Sequence, residues 1–297
     1  MAKTFGVAEH FILNLFSAGT TFQFRGMKYT VICSGKPTCR KGEPKTDIYI
    51  AAQNIHHDIE EIKISFKKAN ADFLENKITD ERAEQILGAD WAEIIAYATS
   101  KLSPAFSERP LIFKHQCGKT EQGAITLGWK FELLNVGSGQ LSGNMYLTRE
   151  QVIDVYAGTN LTSDKRDACV NTVKIPNSGI ANYILLENQP VYSAQDAIDS
   201  LMTIEDYVDE HPNVYFACKA LNYRTFAEKY DGNRPLAVYV DWFVTNGKLD
   251  YKLCFDTPLQ QGGDYAYHRL FEALRQLEAN DTDDLNDSNV RNPGIIN

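Results

Sequence analysis

The sequence predicts an α/β fold, a small mixed central sheet flanked by helices, with an α+β C-terminal region. Three observations carry this. Apolar residues recur at helical spacing in residues 7–18 and 79–102. Between and after those stretches come short alternating runs divided by glycine and proline. The second half then has its own helix cap and hairpin signals. In chain order the first half reads helix, three strands, helix, strand, a mixed α/β arrangement.

The elements follow in turn. Val7, Phe11, Ile12, Leu15 and Phe16 line one helical face, and Gly19 stops it. "TFQFRGMKYTVIC" is a hairpin turning near Gly26. "SGKPTCRKGEPK" is a basic connector rich in turn residues. Strands are expected at 46–51 and 59–66, joined by "QNIHHD", then a helix from Thr79 to about Leu102, with Thr79 or Asp80 as cap. Further strands are expected at 110–115 and 124–134. Beyond them, Thr148 and Gln151 form a capping box closed by Gly158. Asn246-Gly247 joins two alternating runs, the strongest hairpin signal in the chain. Tyr267, Leu270, Phe271, Leu274 and Leu277 share a face of a last helix. The reading divides the chain into a core at 1–135, a recognition or dimerisation region at 136–277, either separate from or integrated with the core, and an acidic, aperiodic tail at 278–297, expected to be disordered or loosely docked.

Composition bounds the function. The 297 residues, 43% hydrophobic and 23% charged, suffice for a sizeable core. Glu9, His10 and Asn14 interrupt the apolar N-terminal stretch, which falls short of the ~18 apolar residues of a membrane span. The expectation is a cytoplasmic, unanchored protein. The six cysteines show no C-x-x-C pair, and the "HQC" at His115–Cys117 has no partner pair, so reduced packing thiols are expected. A net charge of −9 argues against a polyanionic partner. Residues 1–70, however, hold ten Lys/Arg against six Asp/Glu, so the acidity lies in the rest of the chain.

The chemistry concentrates in "EPKTDIYIAAQNIHHDIEEIKISFKK" (43–68). Alternate residues of a strand share a face, so Glu61, Lys63 and Ser65 project together while Ile62, Ile64 and Phe66 point the other way. If the preceding strand pairs with this one, Asp47 comes to the same edge. Two carboxylates converging on a point suit a hard divalent cation, and Mg²⁺ accepts them while keeping positions for water and a phosphate. A lysine beside them supplies positive charge to a phosphodiester under attack. The same alternation is also what a solvated strand face shows.

"EPKTDIYI", then "EIK" with thirteen residues between Asp47 and Glu61, then "ISFKKANADF", resembles the PD-(D/E)XK, or restriction-endonuclease-like, superfamily and its type II restriction enzymes. The resemblance implies an α-β-β-β-α-β core within residues 7–134. It also implies that Asp47 and Glu61 bind Mg²⁺ with the Ile62 carbonyl as a further ligand, that Lys63 positions or activates water, and that Glu9 is the accessory acid of the first helix. Thr46 stands where the family has proline, with Pro44 three residues ahead of the acid. Glu60 lies outside the E-x-K spacing.

The reading extends to a double-stranded DNA partner. Lys36, Arg40, Lys41, Lys45, Ser65, Lys67 and Lys68 are the candidate phosphate contacts. "NYRT" (222–225), "DWF" (241–243) and "GSGQLSGN" (137–144) carry residue types that read bases, although aromatic residues at such spacings are more often core. A palindromic target would call for a two-fold homodimer. Two other readings stay open: a phage or repair nuclease acting on branched, nicked or modified DNA, and a noncatalytic DNA-binding or assembly protein, which the acidic second half favours.

Overall fold

The apolar spacing of the N-terminal segment is realised as α1 (Lys3–Leu15), whose Ile12 is buried, followed by the fully buried Phe16. The computed structural model describes residues 3–40, 42–68, 73–76 and 78–297. It resolves into two units with interleaved segments: Met1–Asp72 with Leu147–Pro212, and Phe73–Tyr146 with Asn213–Asn297.

In the first unit, β1 (Thr21–Phe24) and β2 (Met27–Gly35) form the expected hairpin. Its turn residues Arg25 and Gly26 both have positive φ, as a turn matched to the twist of the strands requires. The chain continues into β3 (Ile48–Asn54) and β4 (Ile59–Lys68), an antiparallel pair that sets Tyr49 opposite Lys63 and Ala51 opposite Glu61.

The second unit begins with β5 (Phe73–Glu75), α2 (Asp80–Leu87), α3 (Trp91–Ser100), α4 (Ser103–Ser107), β6 (Ile112–Phe113), β7 (Ala124–Leu134) and β8 (Ser142–Asn144). Thr79 caps α2 as expected, but the single helix expected to reach Leu102 is broken. Gly88, at φ +81°, ends α2, and α3 starts afresh at Trp91.

The chain then returns to the first unit with α5 (Arg149–Ala157), α6 (Ser163–Arg166), β9 (Cys169–Val170), β10 (Val173–Lys174), β11 (Tyr183–Glu187), α7 (Ala194–Asp199), β12 (Leu201–Thr203) and α8 (Ile204–Glu210). Both bonds of the Thr148–Gln151 capping box form, and Gly158 closes α5 in the left-handed conformation. The sheet order is β1-β2-β3-β4-β11-β12, with β11 parallel to β4 and the other neighbours antiparallel. One face buries Ile48, Ile50, Ile62, Ile64 and Phe66 against Ile12, Phe16 and the Ala197–Ile198 pair of α7. The opposite face packs Tyr49 and Ala51 on Val170, with Cys33 and Ile175 alongside.

The remaining elements of the second unit are β13 (Tyr215–Arg224), β14 (Lys229–Tyr230), β15 (Val238–Thr245), β16 (Lys248–Cys254) and α9 (Gly263–Gln276). Asn246-Gly247 makes the β15–β16 turn as expected. The sheet runs β14-β13-β7-β15-β16, and β5, β6 and β8 pair along β7 and β13.

Two expectations are corrected here. The strands that follow β4 in the first sheet are β11 and β12, not runs within residues 110–134. Strand β7 is buried along nearly its whole length and builds a sheet of its own, so the division at residue 135 gives way to the interleaved one. The 278–297 segment is docked, not loose. Leu285 and Val290 are fully buried and Ile295 nearly so, Leu249 exchanges backbone hydrogen bonds with Asn289 and Arg291, and Asn297 donates its N–H to the Ile112 carbonyl. Arg291 pairs with Asp250 at 2.9 Å. Among the described residues no helix is long and apolar enough to cross a membrane.

Docking of the tail predicts that Leu285→Ala lowers the unfolding free energy by about 2–5 kcal/mol, the usual range for a leucine truncated in a packed core. Urea unfolding followed by tryptophan fluorescence checks this. A loose tail would give no measurable change.

Candidate active site

Strand β4 needs a hydrogen-bonding neighbour on each edge. Toward β3 the ladder runs until Asp47, whose own N–H donates to the Ile64 carbonyl at 2.8 Å. The Asp47 side chain then turns into the ladder, and Oδ2 accepts the Phe66 N–H at 2.8 Å. The carboxylate thus does the work of a strand carbonyl where β3 ends. The loop ahead of it is anchored by Gly179, whose carbonyl accepts the N–H groups of Lys45 and Thr46. A Cβ on Gly179 would lie 1.8 Å from the Lys165 carbonyl oxygen, so glycine is required there.

Glu61 and Lys63 share the face of β4 that carries Tyr49 opposite. Glu61 Oε1 accepts the Tyr49 hydroxyl at 2.5 Å, and Glu61 Oε2 lies 3.9 Å from Lys63 Nζ. The Lys63 side chain is only 13% exposed and donates to the Asn177 carbonyl at 3.3 Å, so its ammonium is held instead of sweeping through solvent. Burial, reinforced by the Glu61 carboxylate, pushes the Tyr49 phenol far above its ordinary range, leaving it a committed donor.

Asp47 has a different environment. Burial pushes its pKa up to about 6, with nearby Glu9 adding to the rise and Lys67, the Phe66 N–H and Lys36 opposing it. Lys36 is engaged by Glu9 at 2.8 Å. Glu9, His10, Leu13, Lys36 and Asp47 together line a small cavity at the end of β3. The accessory acid expected from sequence therefore lies beside Asp47.

The donor chemistry of Asp47 and Glu61 fits a hard cation: both are carboxylates, and a desolvated carboxylate such as Asp47 gains from a neighbouring positive charge. The convergence expected from sequence is not preformed. Asp47 and Glu61 stand four register positions apart, roughly 13 Å along an extended strand. Asp47 faces Glu9 and Lys36, whereas Glu61 faces Tyr49 and Lys63. Among the described residues no three His, Cys, Asp or Glu side chains gather as a metal cluster. The Ile62 side chain is fully buried, and alternation along β4 turns its carbonyl toward β3, the strand that Asp47 precedes.

The expected DNA contacts divide. Arg40 is exposed; Lys36 is tied to the Glu9 carboxylate; Lys45 and Lys67 are half-buried. Ser65 is corrected: it is fully buried, with its hydroxyl enclosed in the sheet, and cannot reach a phosphate. Lys41 and the Lys68 side chain lie outside the described residues. Of the expected base-reading segments, Trp242 is core and donates to the Thr126 carbonyl, and Arg224 is spent on Asp231 and Glu121.

Tyr49, Asn177 and Asn182 were not singled out from sequence. Tyr49 carries a local signal, because it lies two residues beyond Asp47, the spacing that puts residues of a regular strand on one face. The two asparagines are more than a hundred residues away and carry no local signal. Comparisons of the chain with protein-family models, with curated proteins and with solved structures return no match in any of the three.

Because the folded state raises the Asp47 pKa, its protonated form is the favoured one, and stability falls as pH rises from about 4 through about 6. Asp47→Asn keeps an oxygen for the Phe66 N–H and removes the buried charge. The variant is expected to be more stable than the parent by about 2 kcal/mol at pH 7.5, a little below the full shift because Asp47 keeps some solvent contact, and equal to it near pH 4. Urea unfolding across that range measures the difference. A gain independent of pH would contradict the assignment.

Proposed function

We propose that this chain is a Mg²⁺-dependent endodeoxyribonuclease of type II restriction character, hydrolysing phosphodiesters of double-stranded DNA to leave 5′-phosphate ends. The observation that carries the reading is the held Glu61–Lys63 pair on β4, next to a strand introduced by the desolvated Asp47. The succession α1, β2–β3–β4, α5, β11, with β11 parallel to β4, supports a restriction-endonuclease-like core around it.

Each residue has a distinct task. By the resemblance Asp47 and Glu61, with the Ile62 carbonyl, would hold Mg²⁺, and because the two carboxylates stand four register positions apart, sharing one ion would require the Asp47 end of β3 to shift. When bound, the ion supplies a Lewis acid and water acidic enough to attack near neutral pH. Lys63 keeps a fixed positive charge on the same face, able to orient the water and to stabilise charge building on the phosphoryl oxygens. Tyr49 holds one oxygen of Glu61 and so fixes which way the carboxylate turns. Lys36, beside both Asp47 and Glu9, offsets part of their repulsion. The exposed Arg40, on the connector ahead of Asp47, offers a phosphate contact.

The test is cleavage of mixed-sequence plasmid in Mg²⁺, with branched and modified duplexes in parallel, by the parent and by Asp47→Ala and Lys63→Ala. Discrete fragments from the parent, formed at least ~100-fold more slowly by each variant, are the expected result. Cutting confined to branched or modified duplexes would move the reading to a repair-type nuclease on the same core. Intact DNA throughout, or cutting that survives Lys63→Ala undiminished, would contradict it.

A further inference from the structure

Strand β11 starts at Tyr183, opposite Ile64, so it stops short of the Glu61–Lys63 stretch. The peptide groups of Glu61 and Lys63 face that side, where no strand remains to pair them. One side chain takes over. Asn182 Oδ1 accepts the Lys63 N–H at 2.8 Å, and Asn182 Nδ2 donates to the Glu61 carbonyl at 2.9 Å. The Asn182 backbone N–H adds a third bond, to the Lys63 carbonyl at 2.9 Å. A primary amide presents a donor and an acceptor side by side and so imitates the missing strand.

We infer that Asn182 is a positioning residue for the Glu61–Lys63 pair, fixing the backbone of the three residues whose outer side chains do the chemistry proposed above. The inference rests on that nuclease reading for its catalytic consequence. Fixing two peptide groups on either side of Ile62 fixes the pleat there, and the pleat sets where the Glu61 carboxylate and Lys63 ammonium stand relative to each other.

The segment before Asn182 shares this task. Asn177, at φ +57°, offers its carbonyl to Lys63 Nζ, and its N–H donates to Asp167 Oδ1 at 3.0 Å. Asp167 is gripped by Arg166 Nε and Nη2, at 3.0 and 2.9 Å, and its carboxyl is held well below the ordinary range by Arg166 and the Asn177 N–H. Ser178 donates to the Ala168 carbonyl at 2.9 Å. The connector is therefore tied down at both ends of its reach to β4, and its backbone and side-chain amides meet the motif from one direction.

The test compares the full-length protein with Asn182→Ala and Asn182→Asp by amide hydrogen exchange and by Mg²⁺-dependent plasmid cleavage. In Asn182→Ala the Lys63 amide should exchange at least ~10-fold faster while the Ile62 amide, which faces β3, keeps its protection. Cleavage should lose at least ~10-fold in kcat with KM within about twofold. Asn182→Asp keeps an acceptor for Lys63 N–H but can donate to the Glu61 carbonyl only when protonated. Its cleavage relative to the parent should therefore recover as pH falls, and this variant decides the matter if Asn182→Ala does not fold. Unchanged Lys63 exchange in Asn182→Ala, or kcat equal to that of the parent, overturns the inference. An inactive parent whose Lys63 amide is nonetheless released by Asn182→Ala overturns the nuclease reading and supports the clamp.

Discussion

The backbone of β4 outruns both of its neighbours, and the rest of the first unit is arranged around satisfying it. An unpaired peptide group enclosed in a sheet costs about as much as a lost hydrogen bond, so something must stand in where a neighbouring strand ends. At one edge that is the Asp47 carboxylate, on the Phe66 N–H; at the other it is the Asn182 amide, on Glu61 and Lys63. The Asn182 amide sits on the E-x-K triplet itself, and the Asp47 carboxylate three residues beyond it. The same hydrogen bonds that end the ladder therefore decide where the charged side chains can be.

Electrostatics follow from that placement. The apolar face of β3 and β4, closed by α1, leaves the charges of this hairpin to the other face and to the strand ends. Glu61 and Lys63 neutralise each other in part and lean on Tyr49 and Asn177. Asp47, at the strand end, is desolvated, and Lys67 and Lys36, the latter engaged by Glu9, offset only part of the cost. A carboxylate kept in that condition is strained electrostatically in a way that an added cation would relieve, a pattern common where stability has been traded for binding. The chain's net −9 is no obstacle on this scale, since residues 1–70 carry a surplus of basic side chains.

Much of the architecture was legible locally. The Gly26 and Asn246-Gly247 hairpins, the Thr79 and Thr148 caps and the antiparallel pairing of 46–51 with 59–66 all follow from turn chemistry and period-two alternation, which act over a few residues. What escaped was long-range partnership. Nothing local tells β4 that its parallel neighbour is residues 183–187, or tells the alternating 124–134 run that it belongs to a second sheet. The acidic tail misled because Leu285, Val290 and Ile295 are spaced without period, yet each finds an apolar slot. At the site, the face shared by Glu61 and Lys63 could be read from alternation. Asp47's turn into the ladder, the enclosure of Ser65 and the reach of Asn182 depend on where strands stop, which no pattern in the sequence marks.

The proposed function requires the Asp47 carboxylate and the Glu61–Lys63 pair to form one metal-dependent site, although the two carboxylates stand four register positions apart and face different partners. Diffraction from crystals grown with Mn²⁺, using its anomalous signal, addresses this most directly. The expected result is a single ion bound by both Asp47 and Glu61, with oxygens at about 2.0–2.2 Å. Mn²⁺ bound elsewhere, with Asp47 still on the Phe66 N–H and Glu61 still on Tyr49, would contradict it.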